Sequence, residues 1–373
     1  MAIIIGGGSA GLHFSRLYKE KKPQKEVILI EEHTDIGKPV QCTGILTKEI
    51  EKLIPKKDIK KVTLNEINKT EVFSPNNSVI TPISKDYIIC NVSFIKYLHK
   101  QAEKKGVSIL QGHRYLGNTG SKIKVKNIAT NKIIEFEDNF LVGADGPSSN
   151  VAKNNNLYNQ KNRKFLTGVQ ARVKMKDFDK EKIDFYPYIG EYAWFTPESD
   201  EIARIGVAAP RNAKKIFDDF IKKYPGKILE MQGGPIPLHK PFLKIHRKEK
   251  KFSVALIGDS ALQIKNTTGG GIIPGLKASV ALSEGYNNYS KRLKTLNREL
   301  YAHYILNRAL RNYREKDWDR LIHKTTSPAV QKILTGTNRD NALKLAIRLA
   351  MQPKMIAEGT KATLKMLNPH KDI

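Results

Sequence analysis

Three short glycine segments hold the residues best suited to chemistry in this 373-residue chain. The first, Gly6-Gly7-Gly8-Ser9-Ala10-Gly11, follows the apolar run Ala2-Ile3-Ile4-Ile5 and leads into a segment of helical character, Leu12 to Lys22. G-x-G-x-x-G between a strand and a helix permits a tight turn, close approach of a pyrophosphate to the backbone, and close helix–strand packing. With Ser9 and Ala10 opening the helix, its free N–H groups and dipole would meet negative charge. Glu31 ends the next apolar run, where an acid about 20 residues on can accept from ribose hydroxyls. The bland readings are a glycine turn with no ligand and a solvated strand end. Gly143-Ala144-Asp145-Gly146 and Gly258-Asp259-Ser260-Ala261 each end a further buried run. An aspartate there can hold a ribose or ribityl hydroxyl while adjacent N–H groups meet phosphate.

These segments need elements to position them. Continuous apolar runs at residues 2–5, 27–30, 140–142 and 252–257 suit a buried parallel sheet. Residues 93–105 have Phe94, Leu98 and Ala102 on one helical face, and Val107 to Leu110 reads as a strand. Ile123 and Val125 alternate with lysines, predicting a hairpin that returns through Ile133, Ile134 and Phe136. The middle of the chain changes period. Val169, Ala171, Val173 and Met175 alternate with polar residues, as do segments 183–188 and 202–208, predicting a half-exposed antiparallel sheet and hence a second domain. From about Leu276 onward the pattern is nearly all helical. The expected class is α/β (α+β). Residues 1–60, 88–160 and 250–285 form a Rossmann-like nucleotide-binding domain, and residues 61–87 and 161–249 a sheet domain. Residues 286–373 form a helical region.

Composition narrows the class. Forty per cent hydrophobic and 27% charged residues describe a globular chain. Two cysteines, Cys42 and Cys90, exclude a disulfide scaffold and a multi-cysteine metal module. No run reaches the ~18–20 apolar residues of a transmembrane helix. A strand starting at Ala2 leaves no room for a signal peptide, so the expected location is cytoplasmic. The net charge of +28 attracts polyanions. Residues 285–373 carry 18 Lys and Arg against seven Asp and Glu, interleaved with Tyr301, Tyr304, Tyr313 and Trp318. A solvated helical surface is the commonest meaning of such charge. An anionic membrane face comes next. Nucleic acid is third, since no nucleic-acid motif accompanies the charge. Arg308, Arg311 and Arg314, three apart, would share one helix face.

Taken in order, the three glycine segments resemble the FAD motifs of the p-hydroxybenzoate hydroxylase-like flavoproteins. Within that group the chain resembles the geranylgeranyl reductase family from residue 1 to about residue 320. Gly37-Lys38-Pro39-Val40-Gln41-Cys42-Thr43-Gly44 looks like its G-x-P-V-x-C-x-G segment. Tyr192-Ala193-Trp194-Phe195-Thr196-Pro197 resembles (Y/F)-x-W-x-F-P, with Gly206 following after the family's gap. Thr268-Gly269-Gly270-Gly271-Ile272 matches its T-G-G-G-I stretch. Three positions depart from the pattern: Thr196 replaces Phe, Ala208 replaces a glycine, and Asn91 stands where the family has an Arg that contacts the dinucleotide.

The resemblance implies FAD held by Gly6, Gly8, Ser9, Ala10, Gly11, Glu31, Cys42, Gly44, Asn91, Asp145, Gly146, Asp259 and Gly269 to Ile272. It also implies reduction of isolated double bonds in geranylgeranyl chains, including those of archaeal glycerophospholipids. Cys42 would lie at the flavin face and tune it or help supply a proton; alone, it reads equally as a small buried thiol. Tyr186, Tyr188, Tyr192 and Trp194 suit an apolar tunnel wall, although Tyr192 and Trp194 suit a packed core equally. A helix starting near Pro274–Leu276 would aim its positive end at the flavin pyrimidine. Expected partners are an isoprenoid lipid, an anionic membrane surface touched peripherally, and an electron donor, NAD(P)H or ferredoxin. No nucleic acid is expected, and a monomer is. An aromatic hydroxylase of the same fold is the alternative, with a basic binding module on a flavoprotein relic as a third class.

Overall fold

The computed structural model describes residues 1–81, 83–158, 163–336 and 340–367. Strands Ala2–Ile5, Val27–Ile30, Ser108–Leu110, Phe140–Gly143 and Phe252–Leu256 form a parallel sheet in the order 252–256, 140–143, 2–5, 27–30, 108–110. His246–Glu249 adds an antiparallel edge beside 252–256. Alternate residues feed two cores, because neighbours along a strand point to opposite faces. Ala2, Ile4, Val27 and Leu29 pack beneath helices Ser9–Lys21, Asn91–Lys104 and Ile272–Ser283. Ile3, Ile5, Ile28 and Ile30 pack against a three-stranded sheet of residues 113–137, where the expected hairpin lies.

A larger sheet follows the order 227–237, 165–174, 202–209, 192–197, 182–186, 63–73, 83–89, 45–47, with Val79–Ile80 paired to 63–73. The expected antiparallel, half-exposed sheet is corrected twice. It is mixed, because 182–186 runs parallel to 63–73. Its centre is buried on both faces: every residue of Tyr192–Pro197 is buried. Helix Ala213–Phe220 covers one face through Ala213, Phe217 and Phe220, and the other turns toward the nucleotide-binding half. Strand Ile45–Thr47, from the segment expected in the first domain, pairs with 83–89 in this sheet.

The C-terminal segment is helical, as expected: Lys294–Leu310, Glu315–Thr325, Pro328–Thr335, Ala342–Ala350 and Pro353–Leu367. Its aromatic residues divide. Tyr313 and Trp318 are buried and meet edge to face at 5.6 Å, while Tyr301 is exposed. Arg308, Arg311 and Arg314 do not share a helix face, because the helix ends at Leu310 and Arg314 caps the next one. Among the described residues, no helix is long and apolar enough to cross a membrane.

Candidate active site

Small residues let two helix starts converge on one cavity. Gly258 and Gly275 sit where a Cβ would lie 3.0 Å from Ala10 Cβ and 3.3 Å from Gly258 Cα, respectively. Ser279 Oγ, on the second helix, donates to the Ala10 carbonyl at 2.9 Å. Helices Ser9–Lys21 and Ile272–Ser283 therefore present their N-termini side by side. Their caps are Gly8 and Gly271, with no capping side chain and no acid in the first turn. Both starts open into a cavity of about 820 Å³ lined by Gly8, Ser9, Ala10, Cys42, Gly44, Gly146, Asp259 and Gly269 to Ile272. The helix expected near Pro274 begins two residues earlier.

The first loop is locked by its own backbone. A Cβ on Gly6 (φ +107°) would stand 2.2 Å from the Ala144 carbonyl oxygen, and one on Gly11 would stand 2.0 Å from that of Gly6. A Cβ on Gly8 would meet nothing within 4 Å, since Gly8 faces the open cavity. Glu31 accepts the Gly7 N–H at 2.6 Å and the His33 N–H at 2.9 Å, so it braces the loop. Asp259 lies in the cavity wall, and burial raises its carboxyl pKa to about 6. Asp145 is turned elsewhere. Its carboxylate accepts from Ser149 Oγ at 2.6 Å and Val151 N at 3.0 Å, capping a short helix, and burial raises its pKa. Neighbouring Gly146 reaches the cavity with open space beyond its Cα.

The Cys42 segment is held from helix Asn91–Lys104 and from strand Ile202–Ala209. Asn91 Nδ2 donates to the Cys42 carbonyl at 2.7 Å, and the Gly44 N–H points to Sγ at 3.4 Å. Asn91 is thus a support for Cys42 and does not line the cavity. Arg204, from strand Ile202–Ala209, donates to the carbonyls of Thr43 and Ile89 while pairing with Glu198 at 2.9 Å. Arg172 fixes Glu198 from its other side at 2.7 Å. Burial pushes the Cys42 thiol pKa up, only partly opposed by the Gly44 N–H and by Arg204.

The sheet face turned to the cavity carries Phe185, Tyr192 and Trp194. Phe185 stacks on Tyr192 at 5.8 Å. Tyr186, expected in this wall, points to the opposite face, where its hydroxyl lies 2.8 Å from that of Tyr224 and its ring stacks on Phe73. Tyr188 packs beside Tyr186, on the same side of the sheet. Period two forces this: once Phe185 faces the cavity, Tyr186 cannot. Tyr192 OH and Trp194 Nε1 are buried with no hydrogen-bond partner in the protein. A Cβ on Gly269 would stand 2.2 Å from Tyr192 OH, so that hydroxyl abuts the third glycine loop. Sequence reading missed Arg204 and Phe185, which look like ordinary members of alternating strands. It also missed Leu334, Thr335 and Leu345, which close the cavity from the C-terminal helices. No local pattern signals them.

Comparison with known proteins accords with this geometry. Residues 1–193 match the family described as FAD binding domain. The chain belongs to that family. FAD is therefore its cofactor, and the site fits it: uncapped helix starts and the open space at Gly8 suit phosphates. Among curated relatives of this FAD-binding chain is digeranylgeranylglycerophospholipid reductase of Methanothrix thermoacetophila, 25% identical over 95% of this chain and 97% of its own length. The Thermoplasma acidophilum protein of that name is 24% identical over 92% and 94%. Of solved structures, a geranylgeranyl bacteriochlorophyll reductase-like protein from Thermoplasma acidophilum superposes with a TM-score of 0.79 at 20% identity, covering 96% of this chain and 98% of that one. A flavin-dependent brominase superposes at 0.69 with 14% identity, covering 96% and 98%. The fold is shared by different flavin reactions.

Proposed function

We propose that this protein is an FAD-dependent reductase of isoprenoid double bonds, acting on geranylgeranyl chains of archaeal-type membrane lipids. One observation carries the reading. The cavity that holds the glycine loops continues between the sheet and the C-terminal helices with walls of Val72, Ile183, Phe185, Trp194, Ile236, Leu334 and Leu345. An alkene has no polar handle, so it must be positioned by shape in an apolar channel. The full-length similarity to digeranylgeranylglycerophospholipid reductases supports the same class.

Bound FAD, reduced by an external donor such as NAD(P)H or ferredoxin, would supply hydride-transfer chemistry at one alkene carbon, with the matching proton to reach the other. Gly8, Ser9, Ala10 and Gly146 would take the phosphates. Asp259 would take a ribityl hydroxyl, and Glu31, whose Oε1 is bound by His33, an adenosine ribose hydroxyl through the lone pair left on Oε2. Gly269 to Ile272 would lie against the flavin pyrimidine, whose charge the helix start favours. Cys42, desolvated and therefore protonated, holds a proton at Sγ where the apolar channel meets the glycine loops. Exposed Lys48 and Lys85 at the cavity rim suit a lipid phosphate outside it.

The test is chemical reduction of the FAD-loaded protein with a geranylgeranyl glycerophospholipid present, followed by mass spectrometry. Gain of two hydrogens per double bond is expected, and no gain under anaerobic reducing conditions refutes the reading. Cys42→Ala should keep FAD while slowing reduction by about 100-fold, the lower range for a lost proton donor. An unchanged rate returns Cys42 to a packing role.

A further inference from the structure

Helix Ala342–Ala350 has two apolar sides. Leu345 turns inward to the cavity. Leu343 and Ile347 are 40% and 54% exposed, and Met351, one turn on, is 74% exposed. Spacing of four places the three in one stripe along the helix. Ile356, on the adjoining helix Pro353–Leu367, is also exposed. An exposed apolar stripe of this kind marks an interaction surface.

Its charges say what it meets. Between residues 340 and 367 the only acids are Asp340 and Glu358, against five Lys and Arg. Both acids are buried. Asp340 is paired with Lys265 and Thr47, and Glu358 accepts from Arg320 and Lys324 at 2.8 Å each. Beside the outward stripe stand exposed Lys344 and Arg348. Apolar side chains with the cations Lys344 and Arg348 beside them match a surface that is apolar below and anionic above, as at the headgroup boundary of an acidic bilayer. A protein partner would need acidic and apolar groups in this same arrangement; a bilayer offers both everywhere.

We propose that Leu343, Ile347 and Met351 seat helix Ala342–Ala350 in an anionic bilayer, so that its inner face, at Leu345, forms the wall past which a lipid chain leaves the membrane for the flavin cavity. The proposal rests on the lipid-reductase reading above. The buried ties of Asp340 hold the start of this helix to Thr47, next to the cavity, so docking and channel are mechanically joined.

The experiment compares wild type with Leu343→Ser/Ile347→Ser/Met351→Ser, both FAD-loaded and full length, by flotation with phosphatidylglycerol or phosphatidylcholine vesicles. Wild type should float with the first and hardly with the second, with binding falling as salt rises. The triple variant should keep its FAD and lose vesicle binding by about tenfold or more. It should reduce detergent-dispersed geranylgeranyl phospholipid at the wild-type rate but vesicle-embedded lipid far more slowly. The proposal is overturned if the variant floats like wild type. It also falls if the loss follows Phe242→Ser, at the 95%-exposed aromatic on another loop. A third refutation is a change in oligomeric state without vesicles, which would make the stripe a contact between copies. If vesicle binding behaves as expected but no lipid is reduced in any form, the docking surface stands and the reductase reading fails.

Discussion

The two ends of the cavity are built by different means. At the glycine end the wall is backbone, and its shape is set by contacts that leave no room for a Cβ at Gly6 or Gly11. At the aromatic end the wall is side chain: Phe185, Tyr192 and Trp194 stand on a sheet whose other face holds an equally aromatic core of Phe73, Tyr186, Phe220 and Tyr224. At Gly6 and Gly11 the first end admits no Cβ without moving backbone, whereas the second tolerates change in proportion to the volume lost.

The sharpest way to break this contrast is Gly11→Val. Its Cβ would stand 2.0 Å from the Gly6 carbonyl oxygen, and backbone must move to admit it. Destabilisation of about 4 kcal/mol or more is expected, read from the urea midpoint. A wild-type midpoint would show that the loop is not locked. Gly8→Val separates binding from folding within the same loop. Gly8 has φ −73° and empty space beyond it, so the fold should survive within about 1 kcal/mol while FAD occupancy collapses. Normal flavin absorbance in the purified variant would move the phosphates elsewhere.

At the aromatic end, Trp194→Ala should lower kcat/KM for the lipid about tenfold or more, the scale of a lost hydrophobic pocket contact. Tyr186→Phe, one sheet face away, should cost only about 1 kcal/mol of stability through the lost Tyr224 contact, with kinetics intact. Equal kinetic effects from the two would erase the distinction between faces. The smallest effect is a pH dependence. Asp259 titrates at about 6 in the fold against 3.8 ordinarily, so the folded protein holds the proton more tightly. This group's contribution to stability therefore falls as pH rises from about 4 to about 6 and stays low above that. Asp259→Asn should raise the FAD-free melting temperature relative to wild type at neutral pH and lose that advantage near pH 4. A constant difference across the range would mean that Asp259 is not desolvated.

Much of the glycine end is legible in the sequence. G-x-G-x-x-G, the strand before it and the helix after it are neighbours in sequence, and their sterics act over a few residues. Asp145 shows where such reading stops. Its place at a strand end was evident, but whether its carboxylate turned to the cavity or to Ser149 depended on the turn that follows. Asn91 shows the same, since its partner, the Cys42 carbonyl, lies 49 residues away. Alternation predicts a half-exposed sheet here because it reports two unlike faces without reporting what covers them.

By itself, the sequence determined the parallel sheet, the three glycine loops and the helical end of the chain, because continuous apolar runs, missing Cβ atoms and helical periodicity are local constraints. The tertiary structure alone decided that Trp194 faces the cavity while Tyr186 does not, that Arg204 and Asn91 grip the Cys42 segment, and that Leu334 and Leu345 close the channel. Each of these depends on which surfaces bury one another across long stretches of chain, and burial is a property of the packed whole.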